Sequence, residues 1–275
     1  MEHLPLTPTE AYLYTAAHAT IFVGSLYLFR FLKDPALGRD DPATIRQRIF
    51  SLLVAIASSF ALNIWVIGWA LPNVEGGFKG KNLLPSVGAA VLATITLFAG
   101  PILVEILDMK QHGAWWQILY NETCEKFSKL TGWRDVVLAP IFEEVVFRGL
   151  VVPLWTNAGL SETTTIFLSP IFFGLSHLHH AIDIYHTTGS MLSAILGPTF
   201  QALYSSMFGW FAVYLLLSTD NIMGPIFSHG ICNTMGFPEL GKISNFPAHR
   251  NVIWFTYILG IVGFGYLVRS IGIVF

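Results

Sequence analysis

Three segments of the sequence carry side chains able to do acid–base chemistry, and each lies inside apolar sequence. The first is Pro140-Ile-Phe-Glu143-Glu144-Val-Val-Phe147-Arg148-Gly149. On a helix Glu144 and Arg148 are four residues apart and can pair along one face, while Glu143 is turned about 100° away. Arg148 cannot serve both carboxylates well, so Glu143 is free to act as a general base, with Glu144–Arg148 as its support or simply as a structural ion pair. The second segment is Phe172-Phe173-Gly174-Leu-Ser176-His177-Leu-His179-His180. Here Phe173 can buttress the imidazole of His177 from the preceding turn, and His177 can orient a water beside Glu143. His179, His180 and His186 fall near a membrane surface, where histidines are inexpensive, and are not assigned to the site. The third is Gly224-Pro225-Ile-Phe227-Ser228-His229-Gly230-Ile-Cys232-Asn233. His229 and Asn233 share a helix face, and two such donors suit a developing oxyanion. Their ordinary alternative is an interhelical hydrogen-bonded pair that ties a bundle together.

The elements that must position these groups are transmembrane helices. Hydrophobic residues make up 53% of the 275-residue chain and charged residues 12%, about half of the roughly 25% usual in soluble domains. Mean hydropathy is +0.60. Lipid, not water, must therefore cover much of the surface. A crossing needs about 20 apolar residues. Residues 11–29, 49–74, 82–104 and 251–268 contain no Asp, Glu, Lys or Arg, and about 190–218 can also span. Segments 135–156, 162–179 and 221–237 are apolar but interrupted by the polar groups above, which brings the total to about eight spans. The fold class is all-α: a polytopic membrane bundle with a buried polar cavity.

Charge sets an expected orientation. Arg30, Lys33, Arg39, Arg46 and Arg48 lie in the first connection, Lys110, Lys126, Lys129 and Arg134 in the third, and Lys242 and Arg250 in the seventh. The other side receives Lys79, Lys81 and Arg269. The basic excess assigns the odd-numbered connections to the cytosol. Trp115, Trp116 and Trp133 are expected interface anchors. No cleaved signal peptide is expected, and the first span would do the targeting. Counting from Trp133, Glu143 lies about 15 Å deep. His177 approaches the same side, and Asn233 is expected near mid-depth, so the four groups can converge on one cavity.

Other chemistries are disfavoured. A net charge of −2 without basic blocks gives nucleic-acid binding little support. Cys124 and Cys232 are the only cysteines, which excludes a disulfide framework. There is no Gly-x-Ser-x-Gly elbow, no rhomboid-like Gly-x-Ser-Gly, no His-Glu-x-x-His helix and no pair of intramembrane aspartates. A carboxylate, imidazoles and an amide without an evident nucleophile point to hydrolysis by activated water. Glu and two His could in principle still collect a zinc ion. A non-catalytic scaffold or a transporter with a buried polar network is the alternative from another class.

Glu-x-x-x-Arg, Phe-x-x-x-His and His-x-x-x-Asn, each inside a hydrophobic span and in this order, resemble the motifs of the CAAX protease and bacteriocin-processing family of intramembrane endopeptidases. Phe200-Gln201, Phe208-Gly209 and Asn233-Thr-Met-Gly236-Phe237-Pro238 narrow the resemblance to its eukaryotic branch, the type II CAAX prenyl endopeptidases. It covers roughly 135–238. The expected organisation is 1–132 as N-terminal helices and charged connections, 133–238 as the catalytic core and 239–275 as a last helix, in one membrane domain. The resemblance implies a protease without metal or cofactor in the endoplasmic reticulum membrane, reached from the cytosol. Its substrates would be farnesylated or geranylgeranylated CAAX proteins such as Ras-like GTPases, from which it removes the aaX tripeptide. Glu143 and His177 would activate the water and His229 with Asn233 would hold the oxyanion. Glu144, Arg148 and Phe173 would support them.

Overall fold

A computed structural model describes residues 5–28, 37–68, 83–113 and 115–274, and the helices it contains follow the apolar runs. Helix α1 is Pro8–Leu28 and α2 is Pro42–Ile67. The start of α2 is fixed by Asp41, whose carboxylate accepts from the Ala43 N–H at 2.8 Å, with Pro42 at the first helical position. Helices α3 (Leu83–Leu97) and α4 (Ala99–Gln111) meet at a 64° bend. Pro101 explains the break, because it has no N–H to give the carbonyl of Leu97. Helix α5 is Trp115–Ser128.

Helix α6 runs continuously over 130–157, but its hydrogen bonding changes register twice: Arg134–Leu138 and Val145–Leu150 are π-helical and bracket the α-helical turns Ala139–Glu144. Helix α7 (Glu162–Ser176) is capped by Ser161, which accepts from the Thr164 N–H at 3.1 Å. It passes through a 3-10 turn, His177–His179, into α8 (His180–Thr188). Helices α9 (Met191–Thr219), α10 (Met223–Met235) and α11 (Arg250–Val274) complete the bundle.

The all-α polytopic membrane fold is as expected. Three stretches, Pro42–Ile67, Met191–Thr219 and Pro247–Gly272, are each long and apolar enough to cross a membrane, and the bent pair α3–α4 supplies a fourth. Two of the polar-interrupted segments form shorter helices, α7 with 15 residues and α10 with 13, the latter about 20 Å at 1.5 Å per residue and less than a full crossing, whereas 135–156 lies within the continuous α6. Large apolar side chains point outward on all sides, among them Trp65, Leu84, Val262 and Tyr266. An envelope of this kind suits acyl chains.

Polar contacts group the connections by side. Arg134 Nη1 meets Asp40 Oδ1 at 2.8 Å, Arg48 lies 4.0 Å from Asp183, and Lys242 Nζ is 2.9 Å from Glu105. These join connections one, three, five and seven. At the other end the Leu6 N–H donates to Asn157 Oδ1 at 2.9 Å, and Asn221 Nδ2 to Ser86 Oγ at 2.9 Å. The contacts thus sort the described connections into two groups, odd-numbered at one end and even-numbered at the other. Arg30, Lys33, Lys79 and Lys81 lie outside the described residues, as does the Trp115 side chain. Around the polar centre sits an apolar core of Val146 and four phenylalanines, Phe22, Phe142, Phe147 and Phe173. Helices α7 and α9 approach closely because position 174 is glycine: a methyl there would overlap the Ser206 hydroxyl and the Ala202 carbonyl.

Candidate active site

The two π turns of α6 set the site. A π turn inserts a residue into the helical register and rotates the succeeding turns, an irregularity frequent at functional positions. Between them Glu143 and Glu144 sit on adjacent faces of one turn. Glu144 is completely buried, and its Oε1 accepts a hydrogen bond of 2.7 Å from Nδ1 of His229 on α10. Its Oε2 lies 3.1 Å from Nε of Arg148, also buried. That ion pair is close but not aligned as a hydrogen bond, and among the described residues Oε2 and the three guanidinium nitrogens find no aligned partner. Arg148 gains a second stabilisation from aromatic faces: its guanidinium carbon is 4.4 Å from the Phe173 ring centre and 5.6 Å from that of Phe208. The expected Glu144–Arg148 pair is therefore present.

Glu143 is the less buried of the two carboxylates and lines a cavity of about 110 Å³. Its Oε2 is 3.6 Å from Nε2 of His229, so that imidazole stands between the two glutamates. His177 lines the same cavity. Its Nδ1 donates to the Phe173 carbonyl at 3.0 Å, and its ring meets Phe173 edge-on at 4.9 Å. A carbonyl can only accept, so Nδ1 carries a proton and Nε2 of a neutral His177 presents a lone pair. Phe173 thus touches His177, Arg148 and, at 6.1 Å between ring centres, His229.

Asn233 is placed differently from expectation. Helix α10 stops at Met235, where Gly236 takes φ 64°, and Asn233, within its last turn, is exposed and not enclosed in the bundle. Its Nδ2 donates to the Asp135 carbonyl at 2.8 Å. Asp135 itself lines the Glu143–His177 cavity, so Asn233 abuts that cavity one turn beyond His229. Close approach of α10 to the first π turn requires Gly230, since a Cβ there would come within 2.7 Å of the Val136 carbonyl oxygen.

Several contributors escape a reading of charge and spacing. Phe208 packs on the His229 ring at 4.6 Å between centres. Behind α6, buried His18 and Asn63 form a polar link between α1, α2 and the second π turn: His18 Nε2 donates to Asn63 Oδ1 at 2.7 Å, and Asn63 Nδ2 donates to the Leu150 carbonyl at 2.9 Å. Neutral polar residues inside otherwise apolar spans are the available signal. His179 and His180, expected only at the membrane surface, line the cavity beside His177. Among the described residues, no three His, Cys, Asp or Glu side chains form a metal-ligand set.

Comparison with known proteins adds an independent line. The family described as type II CAAX prenyl endopeptidase Rce1-like matches residues 126–235. A protein of Schizosaccharomyces pombe described as a probable CAAX prenyl protease 2 is 32% identical over 254 residues, covering 91% of this chain and 89% of the relative. The chain belongs to the type II CAAX prenyl endopeptidase family. Family relatives named CAAX prenyl protease 2 from Homo sapiens (29% identical, 88% of this chain and 75% of the relative) and Arabidopsis thaliana (28% identical, 90% and 85%) extend over the same helices. No solved structure matches significantly. Membership of this endopeptidase family makes the chain a membrane-embedded protease. Glu143, Glu144, Arg148, Phe173, His177, His229 and Asn233 all fall within the matched region.

Proposed function

We propose that this protease removes the C-terminal aaX tripeptide from farnesylated or geranylgeranylated CAAX proteins, Ras-like GTPases among them, by direct attack of water. The observation that carries the reading is one cavity walled by Glu143 and His177, with Glu143 3.6 Å from an imidazole whose other nitrogen is held by a buried carboxylate. In the proposed cycle a water between Glu143 and His177 Nε2 gives its proton to the Glu143 carboxylate. The hydroxide attacks the carbonyl carbon of the prenylated cysteine. His229 Nε2–H and the Asn233 amide, swung off the Asp135 carbonyl, donate to the oxygen that becomes negative. Collapse breaks the C–N bond, and Glu143 returns its proton to the departing amine. The products are a prenylcysteine carboxylate and a free tripeptide.

His229 donates from both nitrogens in this scheme. Nδ1 already gives its proton to Glu144, so Nε2–H requires a second proton on the His229–Glu144 pair. Two carboxylates then face one imidazolium and one guanidinium, which balances charge inside the bundle. A bilayer location fits the substrate, whose lipid is already confined there while its peptide reaches in from the water. The basic excess on the odd-numbered connections supports cytosolic access, and the resemblance to the family supports the endoplasmic reticulum membrane.

The test is product analysis. Purified protein is incubated with a prenylated and an unprenylated Cys-a-a-X peptide, with and without chelator after verified metal removal, and products are identified by mass. Release of the tripeptide from the prenylated peptide, undiminished by chelator, is expected. No hydrolysis of the prenylated peptide would overturn the reading, and loss of activity restored by zinc would replace direct water activation with a metal mechanism.

A further inference from the structure

The Glu143–His177 cavity opens beside a second, larger one of about 510 Å³, and the two share Leu26, Arg39, Arg48, His179 and His180 in their walls. Two of these shared residues are arginines, and neither is firmly neutralised. Arg48 faces Asp183 only at 4.0 Å, longer than a hydrogen bond. Among the described residues the Arg39 guanidinium makes no ion pair within 4 Å, and Asp40, whose carboxylate feels its charge, is already held by Arg134 at 2.8 Å; the Arg39 backbone carbonyl accepts from Arg134 at 3.3 Å. Arg134, the third arginine of the inner cavity, is by contrast consumed by Asp40 at 2.8 Å and Asp135 at 2.6 Å. Burial first, and then the charges of His179 and Arg39, push the His180 imidazole down to about 3, so it stays neutral and leaves the arginines as the cations of this wall. Two under-neutralised guanidinium groups beside a hydrolytic centre form an anion subsite.

We infer that Arg39 and Arg48 bind the free α-carboxylate at the C-terminus of the substrate and so fix the number of residues between it and the scissile bond. This rests on the CAAX protease reading above. A CAAX peptide carries one obligatory anion, three residues past the bond to be cut. Extended, three residues span about 10 Å, and Glu143, His177 and both arginines wall one cavity. The guanidinium fork matches a carboxylate with two parallel N–H donors. A peptide continuing past X would carry chain into the guanidinium groups instead of a charge. The arginines are binding groups; Glu143 and His177 remain the reacting ones.

The experiment compares prenylated Cys-a-a-X peptides ending in a free acid, in an amide, and in one additional residue. Wild-type enzyme is expected to prefer the acid over the amide by about ten- to a hundredfold in kcat/KM, the range set by loss of a charged hydrogen bond, and to reject the extended peptide similarly. Arg39→Gln and Arg48→Gln should lower kcat/KM for the acid much more than for the amide, so that the preference collapses. Arg39→Lys should restore part of it. Asp183→Asn, which frees Arg48 without removing it, should keep or increase the preference. Equal cleavage of acid and amide by the wild type would overturn the carboxylate subsite while leaving the protease reading intact. An acid preference retained in both Gln variants would assign it elsewhere and overturn the role of these arginines. No cleavage of any prenylated peptide would sink the underlying reading.

Discussion

Glu144 joins two buried partners, and separating them by substitution distinguishes a structural carboxylate from one that serves catalysis. Glu144→Gln keeps the side-chain shape and can still accept from His229 Nδ1, but it removes the negative charge beside Arg148. Arg148 is 1% exposed, so its cation would be left in the bundle interior with only the faces of Phe173 and Phe208. Breaking a buried pair from one side costs about 3–5 kcal/mol, and the variant should unfold well before the wild type. The double variant Glu144→Gln/Arg148→Met removes the stranded charge, and such neutral replacements are often without net cost. Stability should therefore return to near wild type. Activity should not. With a neutral amide at position 144, His229 settles as the Nδ1–H tautomer and presents a lone pair from Nε2, so an oxyanion donor is lost at a cost of about 10²–10³ in kcat. The assay pairs denaturation in detergent with single-turnover release of tripeptide from a farnesylated peptide. A double variant that recovers both stability and wild-type turnover would show that Glu144 does nothing but neutralise Arg148, and the two-proton account of His229 would be wrong.

The packing carries two further expectations. Asn233→Ala loses one exposed hydrogen bond to the Asp135 carbonyl, so its stability should fall by no more than about 1 kcal/mol, while kcat drops about 10²–10³-fold with little change in KM; a change in KM alone would remove Asn233 from the oxyanion. Asn63→Leu strands the buried His18 imidazole and the Leu150 carbonyl, a loss of about 2–5 kcal/mol for two unsatisfied groups, seen as a lower denaturation midpoint; an unchanged midpoint would show that the α1–α2–α6 link carries no stability.

The membrane fold is legible in the sequence because lipid punishes charge. Runs such as 49–74 and 251–268 can be read as spans without further information, and the same penalty makes Glu143, Glu144, Arg148 and the histidines conspicuous. Local pairings at four-residue spacing are legible too: Glu144 reaches Arg148, and Phe173 reaches His177. The hydrogen bond from His229 to Glu144 is not, because it joins residues 85 apart and depends on a π turn. A change from four- to five-residue hydrogen bonding leaves no side-chain signature, yet two such turns bracket the glutamates that face His229. Asn233 shows a second limit. Helical spacing puts it on the His229 face correctly, but where α10 ends is set by Gly236 and the chain beyond it, and that end leaves the amide exposed. The cavity-lining arginines are visible only as a charge count for orientation, since nothing local links Arg39 to His177.

The central claim is that Glu143, with His177, makes water the nucleophile. The most direct measurement is tripeptide release from a prenylated CAAX peptide by Glu143→Gln, purified and verified as folded by its denaturation midpoint. Because Gln cannot take up the proton of the attacking water, turnover should fall below one-thousandth of wild type, within the reach of combined base and positioning effects of about 10³ or more. Wild-type-like release by folded Glu143→Gln would contradict the account.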